Sequence, residues 1–288
     1  MRYTIITNPV AGKMAVEQKL SALAGASKIL AANIYGLDTT TAEEFGRCAR
    51  ELATRFDVLV TAGGDGTLSD IINSVDTAQV PVGFLPLGTG NAIAYALKCK
   101  GDLADIATRI RDGEIHEYDL IDCDGKRRAF TVSVGIEGTI IRLRDQYRLW
   151  GGTGFKTYFR AVLNGYLKEY KRTSARITID TSTFEINDLL SLMVVKQPYY
   201  GFGMRVVPKA RFDDRKLHVL CINEGLLKST IGGVSAFLIG NRIGRYATGR
   251  QLTLKLARPL VMQYDGNEGW EADSFTFKVI PKALKIKC

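Results

Sequence analysis

Histidine is nearly absent from this sequence: two residues, His116 and His218, in a chain of 288. Each lies in a strand-like stretch with no partner motif, which assigns both to structural roles. Five cysteines are present (Cys48, Cys99, Cys123, Cys221 and Cys288), scattered without the spacing of metal ligands; they read as reduced thiols of a cytoplasmic protein. No apolar run reaches the roughly 18 residues that a membrane-spanning helix needs. The opening Met1–Pro9 stretch is too short and too soon broken for a secretory signal, and reads as a first strand. There is no internal repeat and no low-complexity linker. Acidic residues are in deficit, 30 Asp and Glu against 39 Lys and Arg, a net charge of +9. That surplus suits an anionic membrane surface, a nucleotide or nucleic acid. The lack of any nucleic-acid-binding module sets the last aside. The basic residues are spread over Lys126-Arg127-Arg128, over Arg142, Arg144 and Arg148, and over Lys168, Lys171 and Arg172. Tryptophan is scarce: Trp150 and Trp270 suit a core or a membrane interface, and the core is the expectation for at least one. With 46% hydrophobic and 24% charged residues, the balance is that of an ordinary soluble globular protein of one large or two modest domains.

The most informative stretch is Val58 to Ala94. A hydrophobic strand (Val58, Leu59, Val60) runs into Gly63-Gly64-Asp65-Gly66-Thr67, and Leu68, Ile71, Ile72 and Val75 follow at helical spacing. A second strand, Val80 to Leu85, runs into Pro86-Leu87-Gly88-Thr89-Gly90-Asn91, with another helical pattern behind it. The unit of strand, glycine-rich turn and helix start therefore occurs twice. Glycine lets a ligand approach the backbone with no Cβ in the way. Free N–H groups at a helix start favour an anion, so the pair of turns points to phosphate. Thr67 and Thr89 add hydroxyl donors. Asp65 is the odd member: a carboxylate among phosphate-binding groups needs a metal, a ribose hydroxyl or a proton to handle.

Around this stretch, Tyr3 to Thr7 forms a short strand ending at Asn8-Pro9, with Gly12-Lys13 ahead of a helical pattern at Val16, Leu20 and Leu23. That turn offers a further phosphate or base contact. Thr40 and Thr41 precede Phe45, Ala49, Leu52 and Phe56, one face of a helix, and a threonine there is an N-cap. Leu103, Ile106, Ala107 and Ile110 mark one more helix. The alternation predicts a doubly wound parallel sheet over residues 1–114, with ligands at the carboxyl ends of its strands. Near Glu114 the pattern changes. Short strands dominate, around Tyr118–Cys123, Ala129–Val134, Ala175–Ile179, Leu189–Val195, Leu217–Ile222, Leu252–Leu256 and Leu260–Tyr264, with helical insertions at Phe155 to Tyr166 and Leu226 to Leu238. The fold class expected is α/β plus all-β: a nucleotide-binding domain, then an antiparallel β-sandwich-like domain over 115–280, with a cleft between them.

Gly63-Gly64-Asp65-Gly66-Thr67 followed by Pro86-Leu87-Gly88-Thr89-Gly90-Asn91 resembles the catalytic domain of the diacylglycerol kinase-like lipid kinases, a group within the NAD kinase-like superfamily that includes sphingosine and ceramide kinases. Asn8-Pro9-x-x-Gly12 is similar to the family's first motif. The resemblance implies that 281–288 return to the first domain as a closing strand. It implies ATP as phosphate donor, held by Asn8, Pro9, Gly12, Lys13, Thr40 or Thr41, the two glycine turns, and Asp70 where the family usually has glutamate. Tyr199 to Met204 and Pro208 to Asp214 resemble a later family segment that often holds a structural Mg2+. That site carries over to Asp214 and to the carbonyls of Arg211 and Lys216, although Arg215 stands where the family has glycine. Asp265-Gly266-Asn267-Glu268 resembles the family's Asp-Gly-Glu, which supplies the carboxylate that activates the acceptor hydroxyl. Asparagine cannot act as a base, which leaves Asp265, or Glu268 through a local shift, and also leaves a plain Asp-Gly hairpin turn.

The function these features imply is an ATP-dependent lipid kinase, cytoplasmic and peripheral at the membrane, with diacylglycerol as the default acceptor. Tyr199 to Met204 would line either the acyl-chain entrance or the core. Two rivals stand beside it: a kinase of NAD or another soluble metabolite, and a nucleotide- or lipid-binding protein that has lost catalysis, motivated by Asn267 and Arg215. A homodimer is left open.

Overall fold

The computed structural model describes residues 1–9, 14–88, 90–152 and 154–288. The first half alternates strand and helix: β1 (Tyr3–Thr7), α1 (Val16–Leu30), β2 (Ile34–Tyr35), α2 (Ala42–Arg55), β3 (Val58–Gly63), α3 (Asp65–Ser74), β4 (Val82–Pro86), α4 (Ala92–Ala96) and α5 (Leu103–Asp112). Its strands lie parallel in the order β2-β1-β3-β4. Successive side chains of a strand point to opposite faces, and the two layers of helices follow from that. Ile5, Val58, Val60 and Leu85 pack under α1 and α5 with Leu23, Ala26 and Ile106. Ile6, Leu59, Val82 and Phe84 pack under α2 and α3 with Phe45, Ala49 and Ile71.

The second half is mostly antiparallel: β5 (Ile115–Cys123), β6 (Arg127–Ala129), β7 (Thr131–Gly135), α6 (Ile136–Leu149), α7 (Gly154–Asn164), β8 (Thr173–Ile179), β9 (Ser182–Leu189), β10 (Ser191–Val195), β11 (Tyr199–Tyr200), β12 (Met204–Arg205), β13 (Leu217–Ile222), α8 (Leu226–Leu238), β14 (Arg245–Gly249), β15 (Gln251–Tyr264) and β16 (Asn267–Lys287). The two strands expected at 252–256 and 260–264 are one. β15 shifts register between Lys255 and Leu260, across Pro259, which has no N–H to give a ladder. Its first part pairs with β8 and its last part with β7, so the strand turns the corner of a sandwich. Val132, Ile177, Leu192, Val219, Leu254, Met262, Phe275 and Phe277 fill the space within. The expected strand 129–134 is broken at Phe130, whose N–H leaves the ladder to bond the Asp265 carboxylate. Helix α6 and strands β9 and β14 were not expected from the sequence.

The halves share one sheet. β16 pairs along most of its length with β15 and β5, and at its end Ile286 lies beside Val82 of β4, in parallel. No helix among the described residues is long and apolar enough to cross a membrane.

Candidate active site

The two glycine-rich turns stand side by side because β3 and β4 are neighbours. Gly64 is the N-cap of α3, and Leu87 N donates to Gly63 O at 2.8 Å. A Cβ on Gly88 would lie 2.6 Å from Gly64 Cα, so only glycine lets the turns touch. Asp65 then fastens them. Its Oδ2 accepts from Ala92 N at 2.8 Å and its Oδ1 from Ile93 N at 3.0 Å, which caps α4. Asp65, expected to handle a metal, a hydroxyl or a proton, thus has one backbone amide on each of its oxygens. Burial raises its pKa above the ordinary range, and those amides oppose the rise. What the turns leave for a ligand is two buried atoms without a hydrogen-bond partner, Thr67 Oγ1 and Asn91 Oδ1. Such orphans are rare in folded proteins; one is a hydroxyl that can give a hydrogen bond and the other an amide oxygen that can take one. Thr89, Gly12 and Lys13 lie outside the described residues.

The other predicted nucleotide contacts are tied up more tightly. The buried Lys19 of α1 donates from Nζ to the carbonyls of Asn8 and Pro9, at 2.7 Å each, and pins the first turn. Thr41 caps α2 by accepting from Glu44 N at 3.1 Å, while Thr40 donates from N and Oγ1 to the Glu44 carboxylate at 2.8 Å. Both threonines therefore serve the helix start. Asp70 lies 3.2 Å from the Arg127 guanidinium, and Arg127 lies over the Tyr264 ring.

From the β half, the Asp265-Gly266 turn reaches across to α3. Both residues have positive φ, 45° and 79°, as a tight hairpin between β15 and β16 requires. The hairpin reading is thus borne out, and the same turn brings the Asp265 carboxylate to α3. Asp265 Oδ1 accepts from Phe130 N at 3.0 Å, Thr131 N at 2.9 Å and Thr131 Oγ1 at 3.3 Å, and Oδ2 accepts from Ser69 Oγ at 2.8 Å. Burial pushes the Asp265 pKa up to about 7 against these bonds, and the nearby charge of Asp65 adds to the rise. A carboxyl that is half-ionised near neutrality is matched to accepting a proton.

Two expectations are corrected. Glu268 does not line the cavity: it is exposed at the side of α6, with Arg142 Nε on its Oε1 at 3.0 Å. Asn267, at the place of the family's acid, lies over Gly66 instead, 3.8 Å from where a Cβ would stand. The structural Mg2+ site at Asp214, Arg211 and Lys216 does not fit its residues either. The fully buried Lys196 puts Nζ 2.8 Å from Asp214 Oδ1, 2.6 Å from Lys216 O and 3.0 Å from Asp119 Oδ2. An ammonium thus takes two of the three oxygens that were to hold the metal. Burial alone would raise the Asp214 pKa, but Lys196 and His218 outweigh it and hold the carboxyl below its ordinary value. His218 is structural as expected: Nε2 lies 2.9 Å from Asp214 Oδ2 and Nδ1 2.7 Å from the Tyr246 hydroxyl.

Asp65 and Asp265 both line a cavity of about 740 Å³ formed from both halves of the chain. Ile93, Ile140, Ile141, Tyr158, Phe202 and Met204 supply much of its apolar wall, and Arg144 and Arg148 supply charge. The Tyr199–Met204 segment is therefore cavity lining. Phe202 N donates to Gly90 O at 3.0 Å, which joins that segment to the second glycine turn. Sequence reasoning missed Ser69, Glu137 and Lys196. Ser69 had a signal: it follows Asp65 by four residues, hence on one helical face.

A parallel α/β half continued into an antiparallel sandwich, with a glycine-rich double turn at the seam, is the architecture of the NAD kinase-like superfamily. An NAD kinase from Archaeoglobus fulgidus, solved in complex with ATP, superposes with a TM-score of 0.53 at 10% identity over 99% of this chain and 93% of that one. Residues 2–123 match the diacylglycerol kinase catalytic domain, and residues 130–288 match the YegS C-terminal NAD kinase beta sandwich-like domain. The chain belongs to the diacylglycerol kinase-like family of kinases. Among its relatives, a diacylglycerol kinase of Staphylococcus saprophyticus is 28% identical over 238 residues, 78% of this chain and 74% of that one. One from Staphylococcus aureus is 27% identical over 236 residues, covering 78% and 72%. The crystal structure of a diacylglycerol kinase from Bacillus anthracis shares the fold, with a TM-score of 0.74 at 14% identity over 99% of this chain and 96% of that one.

Proposed function

We propose that this protein is an ATP-dependent lipid kinase, with diacylglycerol as the default acceptor on the strength of its relatives' names. The observation that carries the reading is the hydrogen bond between Asp265, from the β half, and Ser69 of α3, the helix that follows the first glycine-rich turn, beside a large cavity with much apolar wall. Phosphoryl transfer asks chiefly for positioning and charge neutralisation. ATP arrives with its metal as substrate and supplies the γ-phosphoryl group. The α3 start, with Thr67, and the Gly88–Asn91 turn hold its phosphates. Asp265 takes the proton of the lipid hydroxyl as that oxygen attacks the γ-phosphorus. The β–γ bridging oxygen leaves with ADP. Ser69 and the Phe130 and Thr131 amides orient Asp265 and keep enough of it ionised at neutral pH.

The apolar wall suits acyl chains. Near the cavity lining residues Arg148 and Gly152, Leu149 and Trp150 stand 86% and 76% exposed, and Phe159, Leu163 and Leu167 are exposed on and just after α7. With Lys156, Lys168 and the net charge of +9, this face favours contact with an anionic membrane surface, through which the lipid would reach the cavity. The test is transfer of labelled γ-phosphate from ATP to lipids in mixed micelles, for wild type and Asp265→Asn. A phosphorylated lipid that disappears in the variant is the expected result. ATP binding with no transfer to any lipid would instead favour the non-catalytic reading that Asn267 suggests, and transfer to NAD would favour the soluble-acceptor one.

A further inference from the structure

Helix α8 is built inside out for a helix on a protein surface in water. Its packed side carries small residues: Gly232 and Ala236 are buried, and a Cβ on Gly232 would fall 2.9 Å from Asn241 Oδ1 and 3.2 Å from Ile243 Cβ. Its large apolar residues point the other way. Ile231, Val234 and Leu238, at i, i+3 and i+7, form one stripe and are 52%, 56% and 78% exposed, with Phe237 and Ile239 exposed beside them. A surface helix of a soluble protein turns such a stripe to the core. Here the described chain leaves it open, and a patch of this kind marks a contact.

The charges around α8 decide what covers it. No Asp or Glu occurs between Glu224 and Asp265, nor between Asp188 and Asp213. The helix ends against the second of these acid-free segments: Asn241 N donates to Arg205 O at 2.9 Å, and a Cβ on Gly240 would meet the Pro208 ring. That brings the exposed Arg205, Lys209 and Arg242 to the C-terminal end of α8. At its start, Glu224 is already paired with Lys228 at 2.9 Å. Two copies meeting across this face would press two net-positive surfaces together, whereas anionic headgroups would meet each cation. At 13 residues α8 is about 20 Å long, short of the roughly 30 Å of a hydrocarbon core. We propose that α8 is a membrane-docking helix that lies flat in an anionic leaflet, with Ile231, Val234 and Leu238 among the acyl chains and Arg205, Lys209 and Arg242 at the headgroups. This surface is separate from the α6–α7 face described above, and its contact needs no kinase activity. Arg172 sets the two side by side: it donates to Asn223 O at 2.7 Å and to the Tyr166 hydroxyl at 3.4 Å, so α8 starts beside the segment that follows α7. α8 also packs on β12, whose Met204 lines the cavity, so a bilayer docked on α8 lies beside that cavity.

The experiment is flotation of the full chain with vesicles of phosphatidylcholine, alone or with about one part in three of phosphatidylglycerol, at about 0.1 M salt. Neither ATP nor an acceptor lipid is present. Wild type is expected to bind the anionic vesicles about tenfold more tightly or better. Leu238→Asp and Ile231→Asp should each weaken that binding about tenfold or more, as the loss of a buried apolar side chain predicts. Both should melt as wild type does, since the two side chains point away from the fold. Arg205→Gln combined with Arg242→Gln should narrow the preference for anionic vesicles. Trp150→Asp, on the α6–α7 face, is the comparison. If it abolishes binding while Leu238→Asp and Ile231→Asp bind as wild type, α8 is no anchor and the inference falls. Equal binding to both kinds of vesicle, or to neither, overturns it too. Sedimentation equilibrium without vesicles supplies the other test: a wild-type dimer that Leu238→Asp splits would give the stripe to a second copy of the chain. No phosphate transfer is read, so failure of the kinase reading and failure of this one remain distinguishable.

Discussion

Lys196 takes the place that the family resemblance gave to a metal ion, and Lys196→Met tests that exchange. The ammonium is 0% exposed and Asp119 2% exposed, so water does little to screen their pairing, while Asp214 at 23% is screened more. The substitution keeps the aliphatic volume and removes three contacts, to Asp119, Asp214 and the Lys216 carbonyl. Asp119 keeps amide donors from Arg215 at 2.7 Å and Lys282 at 3.1 Å, so it is weakened but not stripped. Breaking a buried pair from one side costs about 3–5 kcal/mol. In a protein of this size that lowers the melting temperature by about 6–20 °C. The variant should also acquire what wild type lacks: two carboxylates and a carbonyl open to a divalent cation. At ten times its Kd, magnesium would return about 1.4 kcal/mol. The assay is thermal unfolding of nucleotide-free protein with EDTA or with millimolar magnesium. A loss under about 1 kcal/mol would refute the reasoning, as would a wild type that melts markedly higher in magnesium.

Thr67→Val removes a hydroxyl that has no partner in the protein itself, so stability should hold while KM for ATP rises about three- to tenfold, as a lost hydrogen bond of about 0.5–1.5 kcal/mol predicts. Asp265 must be ionised to accept a proton, so kcat should fall as pH drops through about 7. Ser69→Ala, which removes a donor to the ionised form, should move that limb to higher pH, and an unchanged limb would separate Asp265 from the rate. Burial raises the Glu137 pKa from 4.5 to about 7, so between those values the folded chain holds a proton that the unfolded chain releases, and stability falls as pH rises through the window. Glu137→Gln should therefore be up to about 3 kcal/mol more stable than wild type at pH 8 and no different at pH 4 in urea unfolding. Asn267→Glu should leave kcat within a few-fold if Asp265 is the base; a rise of tenfold or more would give that role to position 267.

The Val58–Ala94 unit was legible because everything that makes it is local: apolar strand, glycine turn, helical spacing. The sandwich was legible as a class, from short apolar runs, but not in its details. Helix α6 was hidden because Arg142, Arg144 and Arg148 read as a basic run, although the buried Ile136, Ile140 and Tyr147 keep a helical face. β9 was hidden because most of its residues face solvent and few are apolar. Lys196 gave no signal at all. A lysine at the end of the apolar run Leu192–Val195 looks like a strand end, and only the fold brings Asp119, 77 positions earlier, onto its ammonium.

The choice between Asp265 and Glu268 turns on register. A local shift that carried Glu268 one place back would have to move the hairpin, because Tyr264 faces Asn267 and Gln263 faces Glu268 across the pair. A slip of one residue carried through the strand, past the register shift already present between Val261 and Gln263, turns every side chain on β16 to the other face. It would expose Phe275 and Phe277, which stack within the sandwich core, and the cost of uncovering two aromatic rings far exceeds any gain at the turn. The strand is also paired beyond the core, to β5 and at Ile286 to β4, so the slip would break the seam between the two halves. The register that buries the phenylalanines thus leaves Glu268 with Arg142 and sets Asn267 above Gly66. It leaves Asp265, in the turn itself, as the carboxylate that meets Ser69 of α3.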